Sequence, residues 1–193
     1  MGGAFCKLTV PCDENLASIE WSSVMRVLVV FSHGKETGPY GRKITQLREI
    51  AHSAGAQTIS IDYTSTMDPS ARVQILLDSE LPAHDRLILV GSSMGGYVST
   101  HASQSLQPDG LLLMAPAFGL PDYPESMPKP SATDIVAIHG WHDDVVPVDN
   151  VIQWAKMHDM KLVLVSDDHS LHNEIPTVGQ FLVKMIATLR TVA

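Results

Sequence analysis

Cysteine is nearly absent: the 193 residues contain only Cys6 and Cys12, both close to the N-terminus. A disulfide-stapled secreted domain needs more of them, spread along the chain, so a reducing compartment is expected. Positive charge is scarce too. Thirteen Lys and Arg face 21 Asp and Glu, for a formal net charge of -8. Neither nucleic acid nor an anionic membrane is an expected partner, because either needs a basic face. No uninterrupted apolar run approaches the roughly 18–20 residues of a membrane span. The first two dozen residues lack the basic-then-apolar order of a secretory signal, so the cytoplasm is the expected compartment. The remainder suits a folded globule of one domain, with 45% hydrophobic and 18% charged residues.

The apolar pattern alternates between short runs and longer helical stretches. Strand-like runs occur at Arg26–Phe31, Gln57–Ile61, Arg86–Val90, Gly110–Met114, Asp134–Ile138 and Lys161–Val165. Several are apolar at nearly every position, as parallel strands covered on both faces require. Between them, Ile44, Leu47, Ile50, Ala51 and Ala54 share one helical face. Asp68-Pro69 reads as an N-cap followed by proline at the first helical position. Further helices are expected over about 93–106 and 149–158. A last one is expected to open on a Thr177/Gln180 capping box and to carry Phe181, Leu182, Met185, Ile186 and Leu189 on one stripe. Strands alternating with helices predict an α/β fold with a mostly parallel sheet of about six strands and helices on both faces. Residues 1–24 read as an N-terminal extension or an edge strand over Ala4–Val10, and 25–193 as the domain proper. The proline-rich stretch Pro116–Pro130 reads as a loop.

Chemistry enters at Gly91-Ser92-Ser93-Met94-Gly95, a G-x-S-x-G string between a strand and a helix. Such a turn lifts the central hydroxyl above the sheet, and small neighbours let backbone pack close to the strained residue. A serine hydroxyl is a weak nucleophile and needs a base, which in turn needs an orienting carboxylate. After the fifth strand comes His139-Gly140-Trp141-His142-Asp143-Asp144-Val145-Val146-Pro147, and after the sixth Ser166-Asp167-Asp168-His169-Ser170-Leu171-His172. In a parallel sheet both loops leave the same edge as Ser93, so the three groups can converge.

These three segments resemble the elbow, acid loop and histidine loop of the alpha/beta-hydrolase superfamily, in its small, single-domain serine hydrolases. The likeness spans about residues 25–190. It implies an alpha/beta-hydrolase fold with no large lid, and a triad of Ser93, Asp143 and His169, with Asp144 and His172 as the competing acid and base. It implies an oxyanion hole from the backbone N–H of Met94 and, in the loop Phe31-Ser32-His33-Gly34-Lys35-Glu36, that of Lys35. The Lys35 side chain either attracts an acidic substrate group or points to solvent or pairs with Glu36. Phe118, Leu120, Tyr123 and Trp141 are the candidate walls for substrate. Dienelactone-hydrolase-like enzymes are similar in size but use cysteine where this chain has Ser93.

The implied activity is cleavage of a small ester or thioester, with a small-molecule acyl substrate as partner and no cofactor or metal. The competing reading is a hydrolase-fold protein that binds a ligand without turning it over. Gly34-Lys35 does not make a P-loop, since position 29 is Val and position 36 is Glu. No G-x-G-x-x-G follows the first strand, which argues against a dinucleotide site.

Overall fold

The computed structural model describes residues 25–191, and the expectation for residues 1–24 lies outside them. Six strands alternate with five helices: β1 (Val27–Ser32), α1 (Arg42–Ser53), β2 (Gln57–Ile61), α2 (Pro69–Asp78), β3 (Arg86–Ser92), α3 (Met94–Leu106), β4 (Gly110–Met114), β5 (Asp134–Gly140), α4 (Val148–His158), β6 (Lys161–Val165) and α5 (Ile175–Thr191). The strands form one sheet in the order β2-β1-β3-β4-β5-β6, and every pairing is parallel.

The pleat sorts the strand side chains into two cores. Val27, Val29, Phe31, Ile88 and Val90 point to the face covered by α1 and α5, where they meet Leu47, Leu182 and Ile186. Leu28, Val30, Leu87 and Leu89 point to the other face, against Leu76, Val98 and Trp154 of α2, α3 and α4. Burial on both faces is why these runs are continuously apolar rather than alternating.

Two local expectations need correction. Helix α5 begins at Ile175, so Thr177 lies inside its first turn. Its hydroxyl donates to Glu174 Oε2 at 2.6 Å instead of capping a helix end. The Pro116–Pro130 stretch is a loop, but Phe118 is fully buried within it. Its ring stacks on Trp154 with centroids 4.5 Å apart, so it serves the core rather than a substrate wall.

The strand order reverses direction of travel between β1 and β3, from which the chain continues to opposite sides of the sheet. Ligands of open α/β sheets sit at such a point, outside the carboxyl ends of the strands. The loop after β1 and the β3–α3 turn both open there.

Candidate active site

Ser93 occupies the turn between β3 and α3 with φ 54° and ψ -120°. A positive φ in a non-glycine residue costs free energy and persists only where the surroundings impose it. They do so through backbone. Ser93 N–H donates to Met114 O at 2.9 Å, and Ser93 O accepts from Ala117 N–H at 3.1 Å. Gly95 is needed for a different reason: a Cβ there would run into the carbonyl of Ser32 and lie 2.7 Å from His33 O. The first turn of α3 thus packs directly on the end of β1, beside the His33-Gly34-Lys35 loop. A Cβ on Gly34 would in turn stand 3.5 Å from Ser93 Cβ.

The acid and the imidazole approach from β5 and β6. Gly140 ends β5 with no room for a side chain, since a Cβ would collide with the backbone of Asp167 and Asp168. That contact brings the acid loop against the histidine loop. The histidine loop is pinned by Asp167, which is buried and accepts from the N–H of Asp168 (2.9 Å) and Asn173 (3.0 Å).

Asp143, Ser93 and His169 meet. His169 Nδ1 donates to Asp143 Oδ2 at 2.8 Å, and the Ser93 hydroxyl lies 3.0 Å from His169 Nε2, with the geometry to donate to it. The other Asp143 oxygen, Oδ1, accepts from the N–H of Val145 (2.9 Å) and Val146 (2.7 Å). Burial pushes the Asp143 carboxyl up, but the hydrogen bonds from His169 and Val146 outweigh it and hold the group below the usual carboxylate range. Asp144 and His172 line the cavity instead, outside this hydrogen-bonded line.

Three participants were not expected from the sequence. The buried His139 donates from Nε2 to Val146 O at 3.0 Å and stands 3.2 Å from Asp143 Oδ2, so a second imidazole faces the same carboxylate oxygen. Burial lowers its pKa and favours the neutral ring. Lys43, in the first turn of α1, lines the cavity. Burial draws its ammonium down to about 8, against the pull of Asp143, Asp167 and Asp168. Arg72 of α2 lies beneath the loop after β1, fully buried. Its signal was visible in retrospect: it shares the buried stripe of α2 with Pro69 and Leu76, a charge where apolar residues belong.

A cavity of about 730 Å³ opens over Ser93 and His169, within the range of small-molecule sites. Gly34, Lys35, Leu120 and Tyr123 line it. Burial pushes the Tyr123 phenol up to about 12. Trp141 is 53% exposed and lies outside the lining. Among the described residues no group of three or more His, Cys, Asp or Glu side chains is arranged to hold a metal ion. No described helix is long and apolar enough to cross a membrane.

Comparison with known proteins adds the class. No family model matches the chain, and no curated protein does. Solved structures do. A protein assigned to the hydrolases of the alpha/beta superfamily, from Xanthomonas campestris pv. campestris, superposes with a TM-score of 0.75 at 27% identity, over 84% of this chain and 99% of its own. A serine hydrolase without a lid, from Xanthomonas campestris, superposes at 0.66 and 20% identity, over 89% and 85%. Est1E from Butyrivibrio proteoclasticus superposes at 0.69 and 17% identity, over 84% and 89%. Residues 25–191 form one domain with the alpha/beta-hydrolase fold, similar to these small hydrolases, and no large lid is present among the described residues.

Proposed function

We propose that the protein is a serine hydrolase that cleaves a small ester or thioester through an acyl-enzyme. The observation that carries this reading is the continuous line Asp143 Oδ2, His169 Nδ1, His169 Nε2, Ser93 Oγ, with separations of 2.8 and 3.0 Å at its two hydrogen bonds.

In this mechanism Ser93 Oγ attacks the acyl carbonyl while His169 Nε2 takes its proton. Asp143 keeps the other ring proton on Nδ1 and stabilises the imidazolium that forms. The tetrahedral oxyanion is received by the N–H of Met94 and the N–H of Lys35. Met94 opens α3, where the first N–H groups have no partner within the helix and the dipole favours negative charge. His169 then protonates the leaving group, whose departure leaves an ester on Ser93. Water, activated by the same imidazole, attacks that ester and frees the acid.

The cavity volume favours a compact acyl substrate. Leu120 and Tyr123 supply apolar wall. Ferulic acid has been seen bound to the structural neighbour Est1E, which places hydroxycinnamate esters on the test panel beside p-nitrophenyl acetate and butyrate. Ser93→Ala is expected to lower kcat by several orders of magnitude on the best of these while leaving the fold intact. His169→Gln should do the same and His172→Gln should not. A fully active Ser93→Ala protein would remove the assignment.

A further inference from the structure

Arg72 is a buried cation whose hydrogen bonds do not go to carboxylates. It is fully buried, and among the described residues no carboxylate lies within ion-pair distance of it. Its guanidinium is spent on main-chain carbonyls instead. Nη1 donates to Gly34 O at 3.0 Å, Nη2 to Lys35 O at 3.0 Å and Nε to Thr66 O at 2.8 Å. One face lies over Tyr63, 5.6 Å from the ring centroid. Stability alone does not select an unpaired buried charge, which costs desolvation free energy that carbonyl dipoles offset only in part.

The geometry of the Gly34–Lys35 peptide gives that charge a use. No peptide bond among the described residues is cis, and in a trans peptide the C=O and the next N–H point in opposite directions. A Gly34 carbonyl drawn inward to Arg72 therefore turns the Lys35 N–H away from Arg72, and both residues line the cavity over Ser93. The same carbonyl receives a second donor. His33 Nε2 accepts from Tyr63 N–H at 3.0 Å, so the ring proton sits on Nδ1, which donates to Gly34 O at 2.8 Å. Tyr63 is itself anchored by its hydroxyl to Ser32 Oγ at 2.9 Å. Two donors on one carbonyl, one of them cationic, polarise the peptide and make its N–H a stronger donor.

We propose that Arg72 is a positioning residue for catalysis, fixing and polarising the Gly34–Lys35 peptide so that the Lys35 N–H is held ready for the oxyanion. The inference rests on the serine-hydrolase reading above. It predicts that Arg72 acts on the transition state and leaves ground-state binding alone, although it never touches substrate.

The test compares wild type with Arg72→Gln, using p-nitrophenyl acetate as substrate and a trifluoromethyl ketone as a tetrahedral oxyanion mimic. Loss of a whole oxyanion donor costs about 100- to 1,000-fold in kcat, so loss of its support should cost about 10- to 100-fold. KM should stay within about threefold, and the inhibition constant of the ketone should rise in step with the fall in kcat. Arg72→Lys keeps the charge and can reach one carbonyl. It should show a smaller loss, and it serves as the variant to measure if Arg72→Gln does not fold. Unchanged kcat and ketone affinity in a folded variant would overturn the proposal, as would a kcat loss that the ketone does not share. A wild-type protein that neither turns over the ester nor binds the ketone would instead sink the hydrolase reading.

Discussion

Ser93 and Lys43 both carry free-energy costs in the folded protein. The φ of 54° at Ser93 is unfavourable for any residue with a Cβ. Glycine relieves that strain and alanine does not. Ser93→Gly is therefore expected to be more stable than Ser93→Ala by ~1 kcal/mol, with the chain-entropy cost of glycine already deducted. Urea unfolding of the two variants measures the difference. Lys43 has its folded pKa lowered to about 8 from the ordinary lysine value of 10.5. Below about pH 8 the lysine is charged in both folded and unfolded chains, and the folded state bears the full cost of the half-buried charge. Between about 8 and 10.5 the unfolded chain binds more protons, so this group's contribution to stability rises with pH. Lys43→Met is accordingly expected to raise the melting temperature at pH 7, and the advantage should shrink by pH 10. Thermal denaturation of both proteins at the two pH values reads this directly.

Among the elements, the decisive contact is that of α3 on the end of β1. An alanine in place of glycine ordinarily stabilises a helix by about 1 kcal/mol. At Gly95 the added methyl would meet the Ser32 carbonyl, which belongs to the strand and cannot swing aside. Gly95→Ala is expected to destabilise by ~1–3 kcal/mol, as overpacking does. It should also lower kcat by more than tenfold in the fraction that remains folded, because it separates the Met94 N–H from the Lys35 N–H. Chemical denaturation and steady-state kinetics on the same preparation check both halves. The elements that carry Asp143 and His169 are joined in a similar way, by Gly140 lying against the backbone of Asp167 and Asp168.

Over the whole molecule, what could be read in advance was what depends on local pattern. Runs such as Arg86–Val90 and Gly110–Met114 announced buried parallel strands because water reaches neither face. Ser93, Asp143 and His169 could be named because strand–turn context and chain order narrow the choice to a few polar residues at one sheet edge. Resemblance to a known superfamily did the remaining selection between Asp143 and Asp144. What escaped were roles set by partners distant in sequence. His139 ends an apolar strand, and nothing local shows that its ring turns toward Asp143. Arg72 serves a loop 37 and 38 residues away. Phe118 sits in a proline-rich loop whose inward packing on Trp154 depends on where α4 lies. Trp141 neighbours the acid loop in sequence and yet faces outward from it.

The central claim is that the Ser93 hydroxyl is made nucleophilic by its line to His169 and Asp143. A fluorophosphonate probe, followed by mass spectrometry of the digested protein, tests this most directly. The account predicts one stoichiometric adduct on Ser93, formed far more slowly when His169 is replaced by Gln. Labelling at another residue, or no labelling of a folded wild-type protein that also leaves every ester on the panel intact, would contradict it.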